Sequence, residues 1–332
     1  MKLIKFLIII YVLSINACAQ NKKQSMEEVN ELLGNLYKEV QYQNKAINYH
    51  ADIFIGGCNF EVLINDFPVH SYYGDGRGAV STSIPINTAI LGPGKQTWKI
   101  RMYPVRKVWE EDDVPFMTIE ESISKGARAE ISIEGVRYDN EGGIEKSFGK
   151  VVDFEAPLIL DSVSNRKILG DAGMPYVEYS GVFEAKVPYE LKGWSEGQDL
   201  SKIDKDEMLQ NLVKHYQTIR EYILNSNLVE IAKEVHLSEY ETAQSLFYSK
   251  EDNIDFLNKF IEGWGRENIE MPELEYYELK FYGNGKIVTL TDKFDGKSPL
   301  YGNYKINDSY KNTVFTLHFY LPEGESELKI IR

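Results

Sequence analysis

A short acidic and aromatic segment contains the residues whose types and spacing could best do chemistry. The stretch "VWEEDDVPF", residues 108–116, places four consecutive carboxylates between two aromatic side chains. Aromatic side chains anchor protein interfaces, and neighbouring charges steer a partner of opposite charge towards them. The segment therefore predicts a contact surface for a basic partner, formed by Trp109, Glu110, Glu111, Asp112 and Asp113. Calcium binding and a solvated acidic loop remain alternatives, although the D-x-D-x-D-G spacing of an EF-hand is absent.

The other reactive residue types form no recognised catalytic motif. The five histidines show neither the H-x₃-H nor the H-E-x-x-H spacing of zinc sites, and no G-x-S-x-G occurs. We therefore predict no metal ion and no cofactor. The 51 acidic residues could still bring a carboxylate pair together in a cleft between domains. A carboxylate-dependent hydrolase is for that reason kept as an alternative.

The first 20 residues have the layout of a secretory signal peptide. Lys2 and Lys5 precede an apolar run at residues 6–13, which is shorter than the roughly 20 residues needed to span a bilayer. The following "INAC", residues 15–18, resembles the lipobox of bacterial lipoproteins. The resemblance implies a lipid on Cys18 and, because Ala19 is not Asp, an outer-membrane lipoprotein facing the periplasm or the cell surface. Cleavage at an ordinary A-x-A site, residues 17–19, would instead release a secreted chain.

Charge and cysteine content narrow the classes of partner. The 332-residue chain has a formal net charge of −14, which becomes −16 once Lys2 and Lys5 are removed with the leader. Such an acidic chain is unsuited to nucleic acid and to anionic lipid surfaces, and it favours a basic protein or cations. If Cys18 is acylated, Cys58 has no partner for a disulfide. We expect Cys58 to be a small buried apolar residue.

The sequence predicts an α+β fold, which must position the acidic and aromatic segment. Residues 25–46 predict a helix, capped by Ser25 and Glu28 as a capping box and packed on the domain that follows. From residue 49 the hydrophobic period changes to two, as in the alternation of Trp98, Ile100 and Met102. Strands with this period, separated by turn residues such as Asn65-Asp66, predict an antiparallel β-sandwich.

The chain changes character near residue 195. Apolar spacing predicts one helix over residues 209–223 and another over residues 252–265. A capping box of Ser238 and Glu241 predicts the start of a further helix between them. Asn284-Gly285 predicts a hairpin with a type I′ turn. This smaller helical and antiparallel-sheet domain resembles a cystatin-like or NTF2-like cone. The expected segments are a signal peptide (1–18), a tether and helix (19–48), a β-sandwich (49–195) and an α+β domain (196–332).

Taken together, these features lead us to expect a membrane-anchored envelope lipoprotein that binds a protein partner. The acidic, aromatic, lipid-tethered chain is similar in outline to periplasmic immunity lipoproteins, which neutralise toxins. A surface glycan-binding lipoprotein is the main alternative, and it would expose a row of tryptophans, Trp98, Trp109 or Trp194. The absence of a catalytic motif makes an enzyme the less favoured class.

Overall fold

The computed structural model describes residues 23–112, 114–139 and 141–332. Cys18, the rest of the predicted signal peptide and Asp113 lie outside these ranges. The described chain is α+β, as predicted: an N-terminal helix, an antiparallel β-sandwich, and then helices with a second antiparallel sheet. Among the described residues, no helix combines the length and the apolar character needed to cross a bilayer.

The N-terminal helix, α1, is shorter than predicted and packs elsewhere. It covers residues 23–33, so that Ser25 lies inside it, and single 3-10 turns follow at Leu36–Lys38 and Gln43–Lys45. The Asn253 side chain donates to the Leu33 carbonyl at 2.9 Å and accepts from the Tyr37 amide at 2.9 Å. These bonds join α1 to the C-terminal helices, with which it shares a core. The prediction that the helix packs on the sandwich was wrong.

Two four-stranded antiparallel sheets form the sandwich. Its strands are β1 (Asn48–Gly56), β2 (Asn59–Ile64), β3 (Phe67–Tyr72), β4 (Ala79–Pro85), β5 (Gly94–Tyr103), β8 (Arg128–Tyr138), β9 (Ile144–Glu155) and β12 (Val177–Ala185), with separate hairpins β6 (Arg106–Glu111) to β7 (Val114–Ile119) and β10 (Leu158–Leu160) to β11 (Lys167–Leu169). The sheet orders are β4-β1-β8-β9 and β12-β5-β2-β3. Alternate residues of both sheets meet in one apolar core, as the period of two predicts.

In the sandwich sheet with the order β12-β5-β2-β3, strand β2 is covered on both of its faces. Asn65 and Asp66 form the predicted turn between β2 and β3, with φ angles of 51° and 60°. All six residues of β2 are buried, because the sandwich core covers one face and the C-terminal region covers the other. At that second face Phe67 stacks on Trp194, with 5.1 Å between ring centroids. The outer face of this sheet is therefore an interface within the chain at β2, whereas Thr97 of β5 and Val182 of β12 are exposed on that face.

The C-terminal region begins with three helices. They are α2 (Lys205–Leu224), α3 (Leu228–Ser245) and α4 (Lys250–Trp264). Ser238 and Glu241 lie in the middle of α3, so the predicted capping box there was wrong. A complete capping box instead starts α4, where Ser249 and Asp252 each accept the other's backbone N–H.

A separate antiparallel sheet of the C-terminal region packs against these helices. Its order is β13 (Tyr277–Tyr282), β14 (Ile287–Asp292), β17 (Phe319–Tyr320) and β18 (Lys329–Ile330), and a separate hairpin joins β15 (Tyr301–Ile306) to β16 (Ser309–Val314). The predicted β13–β14 hairpin is confirmed, with positive φ at Asn284 and Gly285. Its connection spans residues 283–286, which makes it longer than a two-residue type I′ turn. Tyr216 of α2 fixes the helices to the sheet through its hydroxyl, which lies 3.1 Å from Thr289 Oγ1.

Candidate protein-binding hairpin

The acidic and aromatic segment forms the β6–β7 hairpin. Its strands pair with Arg106 opposite Ile119, Trp109 opposite Phe116 and Glu111 opposite Val114. Asp112 follows β6 and has a φ of 51°. Aspartate tolerates this left-handed conformation because its short polar side chain can bond locally. The carboxylates therefore gather at the tip and the aromatic pair lies just behind them.

One face of the hairpin is exposed over its whole length. Side chains alternate between the faces of a strand pair, so that Lys107, Trp109, Glu111, Val114, Phe116 and Thr118 share a face, here called the Trp109 face. All six are exposed, with Trp109 at 40% of its full accessible surface. Trp109 and Phe116 stack with 6.0 Å between centroids and 20° between ring planes, and Trp109 Nε1 donates to Glu111 Oε1 at 3.1 Å. The aromatic pair is thus held in place before any partner arrives.

The hairpin is fixed to the molecule at its base. The Arg106 amide donates to the Gly74 carbonyl at 2.8 Å, and the Glu120 amide donates to the Val105 carbonyl at 3.1 Å. The Arg106 guanidinium lies 4.1 Å from the centre of the Tyr73 ring and donates through Nη1 to the Lys293 carbonyl at 2.7 Å. The hairpin is therefore anchored at its base, while the residues of the Trp109 face are exposed.

The tip carries negative charge that the described chain does not neutralise. Glu110, Glu111 and Asp112 are exposed, and none of them forms an ion pair with the residues that the structure describes. At the other end of the hairpin, Lys107 and Glu120 pair at 2.6 Å and cancel each other. Each hairpin strand forms a β-ladder only with the other among the described strands, so beyond the Arg106–Gly74 bond at the base the outer edges are open to an added strand.

Three exposed apolar residues of the hairpin were not predicted from the sequence: Val114 lies on the Trp109 face, and Val108 and Ile119 lie on the opposite face. All three belong to the hairpin strands, although the segment allowed an irregular acidic loop as well. The available signal was β-branched and aromatic residues on both sides of the Asp112-Asp113 pair. Pro115 argued against a strand, but an open edge accommodates proline because no ladder bond is needed there.

The carboxylates between the sandwich and the C-terminal sheet form a closed network. Glu61, only 3% exposed, accepts at Oε1 from the hydroxyls of Tyr73 (2.7 Å) and Tyr282 (2.8 Å) and at Oε2 from that of Tyr103 (3.1 Å). Arg101 lies 3.7 Å from Glu61 and donates to Asp66 at 3.0 Å. Burial and the charge of Glu61 raise the pKa of Tyr73, Tyr103 and Tyr282 well above the ordinary tyrosine value. Because its oxygens are saturated by internal donors, Glu61 is organised to join two sheets.

The other candidate residues from the sequence lie in the core. Trp98 and Trp194 are buried, so the tryptophan row expected of a glycan platform is not formed by these residues. Cys58 is buried with a free thiol, and burial raises its pKa to about 12. His318 is buried next to Phe67, and burial lowers its pKa to about 4. Among the described residues, no group of three or more histidine, cysteine and acidic side chains is placed to hold a metal ion.

Comparison of the chain with protein-family models, with curated proteins and with solved structures finds no match. The functional argument therefore depends on the geometry of this chain alone.

Proposed function

We propose that this protein is a lipid-anchored protein of the bacterial envelope that captures a basic protein partner on the Trp109 face of the β6–β7 hairpin. The lipid would be attached to Cys18, which places the protein on the outer membrane, towards the periplasm or the cell surface. A secreted toxin neutralised by an immunity protein is one partner of this kind. The observation that carries the proposal is a stacked, solvent-exposed Trp109–Phe116 pair beside carboxylates that no described residue neutralises.

Two physical terms support a protein partner. Covering the aromatic pair removes a large apolar area from water, and aromatic anchors account for much of the binding energy at interfaces. The acidic tip would speed association with a basic surface and make it sensitive to salt. The hairpin also pays little entropy on binding, since its base is fixed and its indole is already oriented by Glu111.

The first experiment is a pull-down with the full-length tagged chain, solubilised in mild detergent from its native membrane. We expect one basic protein to bind stoichiometrically and to be released by salt. Trp109→Ala should weaken its binding by roughly 30-fold or more, which corresponds to about 2 kcal/mol for an aromatic anchor. Tyr310→Ala is the matched control, because Tyr310 is an aromatic residue on another hairpin and is 74% exposed.

The charge contribution is tested separately. Glu110→Lys should slow association and flatten its salt dependence, whereas Glu145→Lys, a reversal at an exposed position of β9, should change association little. A partner that binds the Trp109→Ala and wild-type proteins equally would refute the assignment of the site. The anchor has its own test: Cys18→Ser should move the protein from the membrane fraction to the soluble fraction.

A further inference from the structure

A second surface feature, on the helices, has a different chemistry. A cleft of about 380 Å³ opens between α3 and α4 and is lined by the aromatic residues Tyr248, Phe256, Phe260 and Trp264. The last three recur every four residues along α4, so they share one face of that helix. Successive ring centroids lie 6.0, 6.1 and 6.2 Å apart from Tyr248 to Trp264. The cleft therefore has a continuous aromatic wall.

Three carboxylates and Lys259 also line the cleft, and one of the carboxylates has no partner. Asp252 accepts the Ser249 amide of the helix cap, and Asp255 is paired with Lys259 at 2.7 Å. Glu239 of α3, which is partly buried, makes no hydrogen bond or ion pair with any described residue. Arg332 interacts electrostatically with Glu239, but its ion pair is with Glu241, at 3.0 Å. Glu239 is therefore the one acid of this cleft that is free to meet a ligand.

The pKa shifts of the cleft residues agree with a Glu239 carboxylate that has no partner. Burial raises the pKa of Glu239 to about 7, which shows that its charged form is poorly stabilised by its surroundings. Burial and the charges of Glu239, Asp252 and Asp255 raise the pKa of Tyr248 to about 12. The negative charges of all three carboxylates are therefore felt at the same end of the cleft, where the Tyr248 hydroxyl lies. A cation placed there would stabilise the ionised form of Glu239.

From the aromatic wall and the unpartnered Glu239, we infer that this cleft binds an organic ammonium group. Aromatic faces attract cations electrostatically, and methylated or alkylated ammonium groups exploit this because they are weakly hydrated. The carboxylate supplies the charge complement at one end, and the cleft is large enough for a small alkylammonium ion. A free amine and a lysine side chain of another protein share this chemistry. The inference is independent of the hairpin and does not require the partner proposed above.

The test compares a cation with its neutral counterpart on the full chain in detergent. Choline and 3,3-dimethylbutan-1-ol have the same shape and differ in charge, so both are titrated by calorimetry at pH 8 and constant ionic strength. We expect choline to bind at least tenfold more tightly. An acetylated, amidated Gly-Lys-Gly peptide forms a third arm: tighter binding of the peptide than of choline indicates a lysine of a protein, and tighter binding of choline indicates a free amine.

Variants connect any binding to the proposed residues. Glu239→Gln, which is nearly isosteric, and Phe256→Leu should each weaken choline binding about tenfold. The control is Glu251→Gln, because Glu251 is an exposed acid of α4 that does not line the cleft, and this change should alter the affinity less than twofold. Thermal unfolding verifies that each variant is folded. Equal affinity for choline and the alcohol, no choline binding up to 50 mM, or unchanged binding in Glu239→Gln would each overturn the inference.

Discussion

Removing the hydroxyl of Tyr282 tests whether the Glu61 network holds the two halves of the molecule together. Tyr282 lies in β13 of the C-terminal sheet, and its hydroxyl donates to Glu61 of β2 at 2.8 Å, across 221 residues of sequence. Both residues are buried, so solvent cannot replace the lost bond. The Tyr282→Phe change removes one hydrogen bond to a charged acceptor and leaves the ring and its packing in place.

The loss of stability depends on which hydrogen bonds Glu61 keeps in each variant. A hydrogen bond to a charged group contributes roughly 1.5–3 kcal/mol, and an unsatisfied buried group costs more. In Tyr282→Phe, Glu61 still accepts from Tyr73 and Tyr103 and remains near Arg101, so the loss should lie at the lower end, about 1.5–2 kcal/mol. In Glu61→Gln, the amide cannot accept from all three hydroxyls, and we expect a loss of about 3 kcal/mol.

Urea unfolding of the two single variants and the double variant measures these terms. If the hydroxyl acts through Glu61, Tyr282→Phe should cost less in the Glu61→Gln background, where the amide oxygen is an uncharged and weaker acceptor, and the coupling energy should be about 0.5–1 kcal/mol. Tyr310→Phe, at an exposed position, should change the free energy of unfolding by less than 0.5 kcal/mol and serves as the control. The same loss in both backgrounds, or a loss below 0.5 kcal/mol for Tyr282→Phe alone, would refute the reasoning.

Two further predictions concern single buried groups. Burial lowers the pKa of His318 from 6.5 to about 4, so the unfolded chain binds a proton in this window and the folded chain does not. Stability from His318 is therefore present above pH 6.5 and is lost as the pH falls to 4. Wild type should lose about 3 kcal/mol more than His318→Leu between pH 7 and 4, and parallel unfolding curves would contradict this. Burial also raises the pKa of Cys58 to about 12, so in a Cys18→Ser background a thiol reagent should label Cys58 only after unfolding. Rapid labelling of the folded protein would show that the thiol is accessible.

Local patterns in the sequence were sufficient where the physics is local. The alternation of Trp98, Ile100 and Met102 predicts which side of β5 is buried, and Asn65-Asp66 predicts a turn because both residues tolerate positive φ. The Ser-x-x-Glu pattern failed at Ser238, which lies within α3, because that pattern occurs inside helices as readily as at their starts. In the interior of α3, apolar packing decides where the helix continues.

Contacts between distant segments could not be predicted in this way. Glu61 contacts Tyr282 and Asn253 contacts Leu33 only because the fold brings these segments together. The same holds for the aromatic cleft, since Glu239 belongs to α3 and the rings of Phe256 and Trp264 belong to α4. A single sequence gives the types of these residues but not their separation, and the separation decides what they can bind.

The hairpin is separable from the stability of the fold, and this is the strongest physical reason to assign it to binding. Its backbone bonds and the Arg106–Tyr73 contact lie at the base, so Trp109 and Phe116 contribute little to holding the sandwich together. An exposed stacked aromatic pair is also an aggregation hazard at an open strand edge. Folding alone does not require this pair, because polar residues at both positions would keep the base contacts. What the pair supplies is an exposed apolar surface beside carboxylates that no described residue neutralises, so the proposed partner would be apolar at its centre and basic at its rim.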